Sequence, residues 1–154
     1  MTVLDVAAYI LAARGEMSAM KLQKLIYYAQ AWALAWTGRP LFANRIEAWA
    51  KGPVVRDLYA LHRGEFTVRE IAGGNASVIG SEARAIIDAV LGSYAHLTPQ
   101  TLSDLTHSEP PWLEARRHAP EGERSSVPIE PASMRAYYGS LARKQEQAEK
   151  SLLK

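Results

Sequence analysis

Apolar residues near the start of the chain fall at Val3, Val6, Ala7 and Ile10, the i, i+3, i+4, i+7 spacing of one buried helical face. Thr2, with Asp5 three residues on, supplies a capping box for that helix, and Gly15 ends it. A second helix is predicted from Ser18 as N-cap, with Met17 and Leu22 placed as a hydrophobic staple across it. It runs to about Trp36, where Gly38 and Pro40 stop it. Leu22, Leu25, Ile26, Ala29, Ala33 and Trp36 make one apolar stripe, and Tyr27, Tyr28, Ala31, Leu34 and Ala35 fill the other sides. Little of this helix can face water, so it is expected at the centre of the fold.

Residues 45–50 alternate apolar with charged or aromatic positions, the period of a short strand, and 65–71 alternates less cleanly and is a candidate to pair with it. Between them Gly52-Pro53 reads as the opening of a short helix, with Asp57 in an early turn and Gly64 past the end. A loop is predicted over 71–80. Ser81 is placed to cap a fourth helix carrying Ile86, Val90 and Tyr94 on one face, Thr98-Pro99 starts a fifth, and Pro110-Pro111 forces a break before a short sixth at Trp112. The stretch 119–131, rich in Pro, Ser, Gly and charge, reads as a connection with little to bury. Met134, Tyr138, Leu141, Gln145, Ala148 and Leu152 then recur at steps of about four and three, an amphipathic final helix. The expectation is a mainly α fold: a compact single-domain helical bundle of about six or seven helices with at most a small β-hairpin. Its domain covers 1–142, and 143–154 forms a polar, basic C-terminal tail.

Length agrees with one domain, since 154 residues suffice for a single self-sufficient core. Composition is that of an ordinary globule, 48% hydrophobic and 22% charged. Eighteen basic against sixteen acidic residues leave a formal charge of +2, too little to favour nucleic acid as a partner. The absence of cysteine excludes disulfides, thiolate nucleophiles and sulfur-ligated zinc. The N-terminus meets Asp5 before any apolar run, unlike a secretory signal, and the uncharged stretch 25–38 is shorter than a membrane span. A cytoplasmic protein without membrane association is expected.

Local signatures of catalysis are missing. His62, His96, His107 and His118 are scattered with no H-E-x-x-H, Gly73-Gly74 lacks both phosphate-binding spacings, and no serine sits in a G-x-S-x-G elbow. Neither a metal nor a cofactor is expected. Four features stand out instead. Lys21 and Lys24 lie in the first turns of the second helix, where the macrodipole disfavours cations; they are either solvated or paired, or they await an acidic group on a partner. Tyr27, Tyr28, Trp32 and Trp36 are core packing or in part an interface, because Tyr and Trp dominate binding hot spots. Trp49 and Lys51 sit in a tract, 48–55, whose Gly and Pro a strand-to-helix junction explains but whose aromatic and cation it does not. His107 and Trp112 belong to a second dense tract, 106–112, in which the histidine is either a base or a structural residue.

Ser18-Ala19-Met20-Lys21-Leu22-Gln23-Lys24-Leu25-Ile26-Tyr27-Tyr28-Ala29-Gln30-Ala31-Trp32, Gly38-Arg39-Pro40-Leu41-Phe42 and Ile46-Glu47-Ala48-Trp49-Ala50-Lys51-Gly52-Pro53-Val54-Val55 together resemble the Panacea domain, the SocA-like antitoxin domain also found in phage-associated proteins. Residues 102–112 and Val127-Pro128-Ile129 resemble that family's second half, so the likeness spans roughly residues 3 to 140. Ala50-Lys51 departs from it, since members often carry an aromatic before the glycine. The resemblance implies a mostly helical, non-enzymatic antitoxin of a type II-like toxin-antitoxin pair, which binds and blocks a cognate protein toxin encoded beside it. It also implies a second route, because the member that names the family delivers its toxin to a bacterial protease. The residues expected to contact the toxin, or to stand behind those that do, are Lys21, Lys24, Tyr28, Trp49, Lys51, His107 and Trp112. Two alternatives remain open at this point: a proteolytic adaptor recruiting a protease through 143–154, and a hydrolase or transferase using His107 with Glu109 or Asp104.

Overall fold

Asp5 accepts a hydrogen bond from the Thr2 N–H at 2.8 Å and so fixes the start of α1 (Val3–Arg14), whose end is marked by Gly15 at φ +79°. The computed structural model describes residues 1–120 and 122–153. Ser18 Oγ accepts from the Lys21 N–H at 3.1 Å to cap α2 (Ala19–Thr37), and the left-handed Gly38 closes it. Leu22, Leu25 and Ile26 are fully buried, each contributing about 1.5–3 kcal/mol of apolar burial. Among the described residues there are seven α-helices: α3 (Arg56–His62), α4 (Ser81–Tyr94), α5 (Pro99–His107), α6 (Pro110–Ala115) and α7 (Pro131–Leu152) follow the first two. α2 forms the axis, packing most extensively on α7 and then on α4. Its central position follows from its all-round apolar surface.

The small strands differ from expectation. β2 (Ile46–Trp49) pairs with β3 (Gly52–Val55), in the register Ile46↔Val55 to Trp49↔Gly52, and not with residues 65–71. Those instead supply β4 (Thr67–Val68), which pairs with β1 (Met17–Ser18) ahead of α2. Gly52-Pro53 therefore opens a strand, and α3 begins only at Arg56. The turn Ala50-Lys51 is short because Gly52 takes φ +121°, and a proline beside it is tolerated because β3 pairs with β2 on one edge only.

Smaller differences are local. Gly80, not Ser81, is the N-cap of α4, and a 3-10 turn (Ala76–Val78) interrupts the loop expected over 71–80. Pro110 and Pro111 occupy the first two positions of α6 instead of breaking the chain ahead of it, since proline's missing N–H costs nothing there. Trp36, expected on the buried stripe, is 46% exposed and leans on Trp32, centroids 5.1 Å apart. The connection 119–131 buries more than its composition suggests: Ile129 lies in the core, its N–H bonding the Ile46 carbonyl, while Ala48 donates to Val127. Glu121, within that connection, and Lys154, the last residue of the expected tail, lie outside the described residues. The boundary expected after residue 142 falls inside α7, at the point where its side chains turn from buried to exposed.

Candidate functional site

The two dense tracts of the sequence meet at the tip of the β2–β3 hairpin. Trp112 on α6 donates its indole N–H to the Trp49 carbonyl at 2.9 Å, and Ser103 on α5 donates its hydroxyl to the Lys51 carbonyl at 2.7 Å. These bonds clamp the turn from the side of α5 and α6 and bring Trp49, Lys51, His107 and Trp112 together. His107 stacks on Trp112 with centroids 4.1 Å apart at 22°. The guanidinium of Arg116 lies over the same indole at 5.2 Å. Burial lowers the His107 pKa, with the nearby charge of Lys24 acting in the same direction. Its Nε2 is buried with no hydrogen-bond partner among the described residues.

Two of the expected contact residues lie inside the fold. Lys24 is 2% exposed; its Nζ donates to the Pro53 carbonyl at 3.3 Å, and its stem crosses Gly52 against Thr106. It forms no ion pair with a described residue, so burial alone pushes its pKa down to about 8. Tyr28 is fully buried, donating to Glu109 Oε1 at 2.6 Å and stacking on Tyr94 at 4.1 Å. Of the two roles expected for this set, contact with a partner or support for the residues that make it, burial leaves these two the second: Lys24 lies behind the hairpin turn, and Tyr28 belongs to an interior network. That network also includes Tyr138, which donates to Glu109 Oε1 at 2.9 Å, and Tyr27, whose hydroxyl is 3.0 Å from that of Tyr138. Desolvation raises the Glu109 pKa, against the pull of the two tyrosine hydroxyls. Lys21 is half-buried in the first turn of α2 and pairs with no described carboxylate.

Several residues that shape this face were not singled out by sequence. Arg116 is buried, its Nη1 donating to the Ala48 carbonyl at 2.9 Å and its Nη2 to that of Glu123 at 2.7 Å, which ties the end of α6 to both β2 and the 119–131 connection. Glu47 is buried in β2 and gathers Arg56 at 3.0 Å, Arg45 at 3.2 Å and the Trp49 indole N–H at 2.9 Å. Trp49 in turn meets Tyr59 edge-on, centroids 4.8 Å apart. Arg56, Tyr59 and Arg63 recur at i, i+3, i+7, a helical-face signal present in the sequence that the solvated side of a short helix explains equally well.

His107 is hydrogen-bonded to neither carboxylate proposed as its catalytic partner. Glu109 is held by the tyrosines, and Asp104 accepts from Gln100 at 2.9 Å. No group of three or more potential metal ligands occurs among the described residues, and no helix of the structure is long and apolar enough to cross a membrane. The family model described as antitoxin SocA-like, Panacea domain, matches residues 22–113, from the first turn of α2 through the hairpin to α6. No curated protein and no solved structure matches the chain.

Proposed function

Because the chain belongs to the SocA-like Panacea-domain antitoxin family, we propose that it neutralises a cognate protein toxin, encoded beside it, by direct binding within a type II-like pair in the cytoplasm. The observation that carries this reading is the extent of the match: residues 22–113 include most of the central helix, the hairpin, α5 and most of α6, and with them Trp49, Lys51, His107 and Trp112. Tight neutralisation near a nanomolar dissociation constant needs about −12 kcal/mol, within reach of an interface of roughly 1,600 Å² with a few well-packed anchors. Half-buried aromatics held by hydrogen bonds from behind suit that task, because little side-chain entropy is lost when a partner covers them. The reading gives His107 a structural part, stacked on Trp112 and hydrogen-bonded to neither Glu109 nor Asp104.

Co-expression tests it. The product of the adjacent gene should arrest growth alone, be tolerated with this chain present, and co-purify with it; arrest unrelieved by this chain, or relief without association, refutes the reading. A second reading, the proteolytic adaptor, is favoured by one feature: the last turns of α7, from Arg143 onward, are exposed and extend past the packed part of the helix. Deleting 143–154 separates the two. Occlusion survives the deletion, whereas delivery to a protease is lost and the toxin accumulates.

A further inference from the structure

Trp49, Lys51, Arg56, Tyr59 and Arg63 line a cleft of about 570 Å³ together with residues 124–126. Its walls carry four cations, Lys51, Arg56, Arg63 and Arg124. Only Arg56 is balanced by a described carboxylate, and that one, Glu47, is shared with Arg45 and the Trp49 indole. Lys51, Arg63 and Arg124 form no ion pair with a described residue. Converging like charges raise the free energy of the folded chain, and the low-dielectric walls of a cleft concentrate their field outward, onto whatever enters. This concentration stands out in a chain whose formal charge is only +2.

We propose that this cleft receives an acidic segment of the partner protein, its carboxylates taken by Lys51, Arg63 and Arg124 and a neighbouring apolar side chain resting on Trp49 and Tyr59. The proposal rests on the toxin-binding reading and names the chemistry that the toxin presents. Guanidinium groups hold carboxylates in a planar fork, and the aromatic pair is fixed in advance: Trp49 is bonded through its indole to Glu47 and through its carbonyl to Trp112. The volume admits a few side chains of an extended or helical segment, not a folded domain. A nucleic-acid strand is the lesser fit, because a phosphate backbone calls for cations along a continuous track, and here they gather at one open depression.

Arg63→Glu with Arg124→Glu, made in the full chain, is the test, with Arg14→Glu and Arg69→Glu at exposed sites away from the cleft as a charge-matched control. Thermal melting of each variant checks folding, and Arg63→Ala with Arg124→Ala repeats the test if the reversal fails to fold. Rescue from the adjacent gene product should be lost in the cleft variant and kept in the control. A short peptide rich in Asp and Glu around one Phe should bind the wild-type chain at least about tenfold more tightly than its Asn/Gln counterpart, weaken with salt, and lose that preference in the cleft variant. Rescue by a folded cleft variant equal to wild type overturns the proposal. Equal binding of the two peptides, or displacement of the acidic peptide by a single-stranded RNA of matched length, overturns it too. If the wild-type chain itself rescues nothing, the toxin reading fails, and the peptide titration still decides what the cleft takes.

Discussion

Lys24 buries its ammonium group against the carbonyl of Pro53, 3.3 Å away, beneath a hairpin turn and with no described carboxylate to balance it. A charge so placed weighs against folding, and the native state lowers that cost by releasing its proton at about pH 8 instead of 10.5.

Stability should therefore rise with pH over the window in which the unfolded chain still holds the Lys24 proton and the native chain does not. That window opens at about pH 8, and its full span corresponds to roughly 3 kcal/mol. The rise is cut short near pH 10, where the unfolded tyrosines ionise while burial keeps Tyr27, Tyr28 and Tyr138 protonated in the native state, so that stability falls again. Lys24→Met should raise the melting temperature at pH 7, by the equivalent of about 1–3 kcal/mol, and flatten the alkaline rise. Denaturant unfolding across that range checks both; a destabilised Lys24→Met protein with the rise intact would refute the account.

Gly52→Ala should destabilise by about 2 kcal/mol or more. The residue sits at φ +121°, and an added Cβ collides with the Lys24 stem. Lys24→Ala in the same chain should recover the part due to the collision and leave the backbone strain, so the double-mutant cycle will be non-additive.

Glu109→Gln retains an oxygen that accepts from Tyr28 and Tyr138, and should unfold within about 1 kcal/mol of the wild type at neutral pH. Glu109→Leu strips the Tyr28 hydroxyl of its acceptor and should cost about 1–3 kcal/mol. Because burial raises the Glu109 pKa, the native state holds this proton longer than the unfolded one. Stability thus declines as pH rises from the ordinary carboxylate value through the native one, a decline absent in the Gln variant.

Arg116→Lys should lose about 2–3 kcal/mol although the charge is kept, since one ammonium cannot reach the carbonyls of Ala48 and Glu123 together or lie flat over Trp112. Melting curves of Arg116→Lys and Arg116→Ala check this; a lysine variant as stable as wild type would show that the fork is dispensable.

Reversing Lys21 and Lys24 together would confound surface with interior. Lys21→Glu alone should leave the fold intact, whereas Lys24→Glu should unfold it by placing an anion where the Pro53 carbonyl already points. Circular dichroism of the two single variants separates them.

Helices with strong periodicity or a clear cap are legible in the order of residues alone. α1, α2 and α5 begin where Thr2, Ser18 and Thr98 place them, because capping and i, i+3, i+4 burial are local and need no knowledge of the rest of the chain. That order also sets apart Trp49, Lys51, His107 and Trp112, residues in excess of what their turns require. The strand partners depend on packing from afar, since Gly52-Pro53 is locally as good a helix start as a strand and becomes a strand by lying across α2 and α5. So do the fates of the two lysines. Lys21 and Lys24 are three residues apart on one helix and identical in chemistry, yet α5 and the hairpin close over only the second. Burial depends on what packs from far along the chain, and no local pattern encodes that.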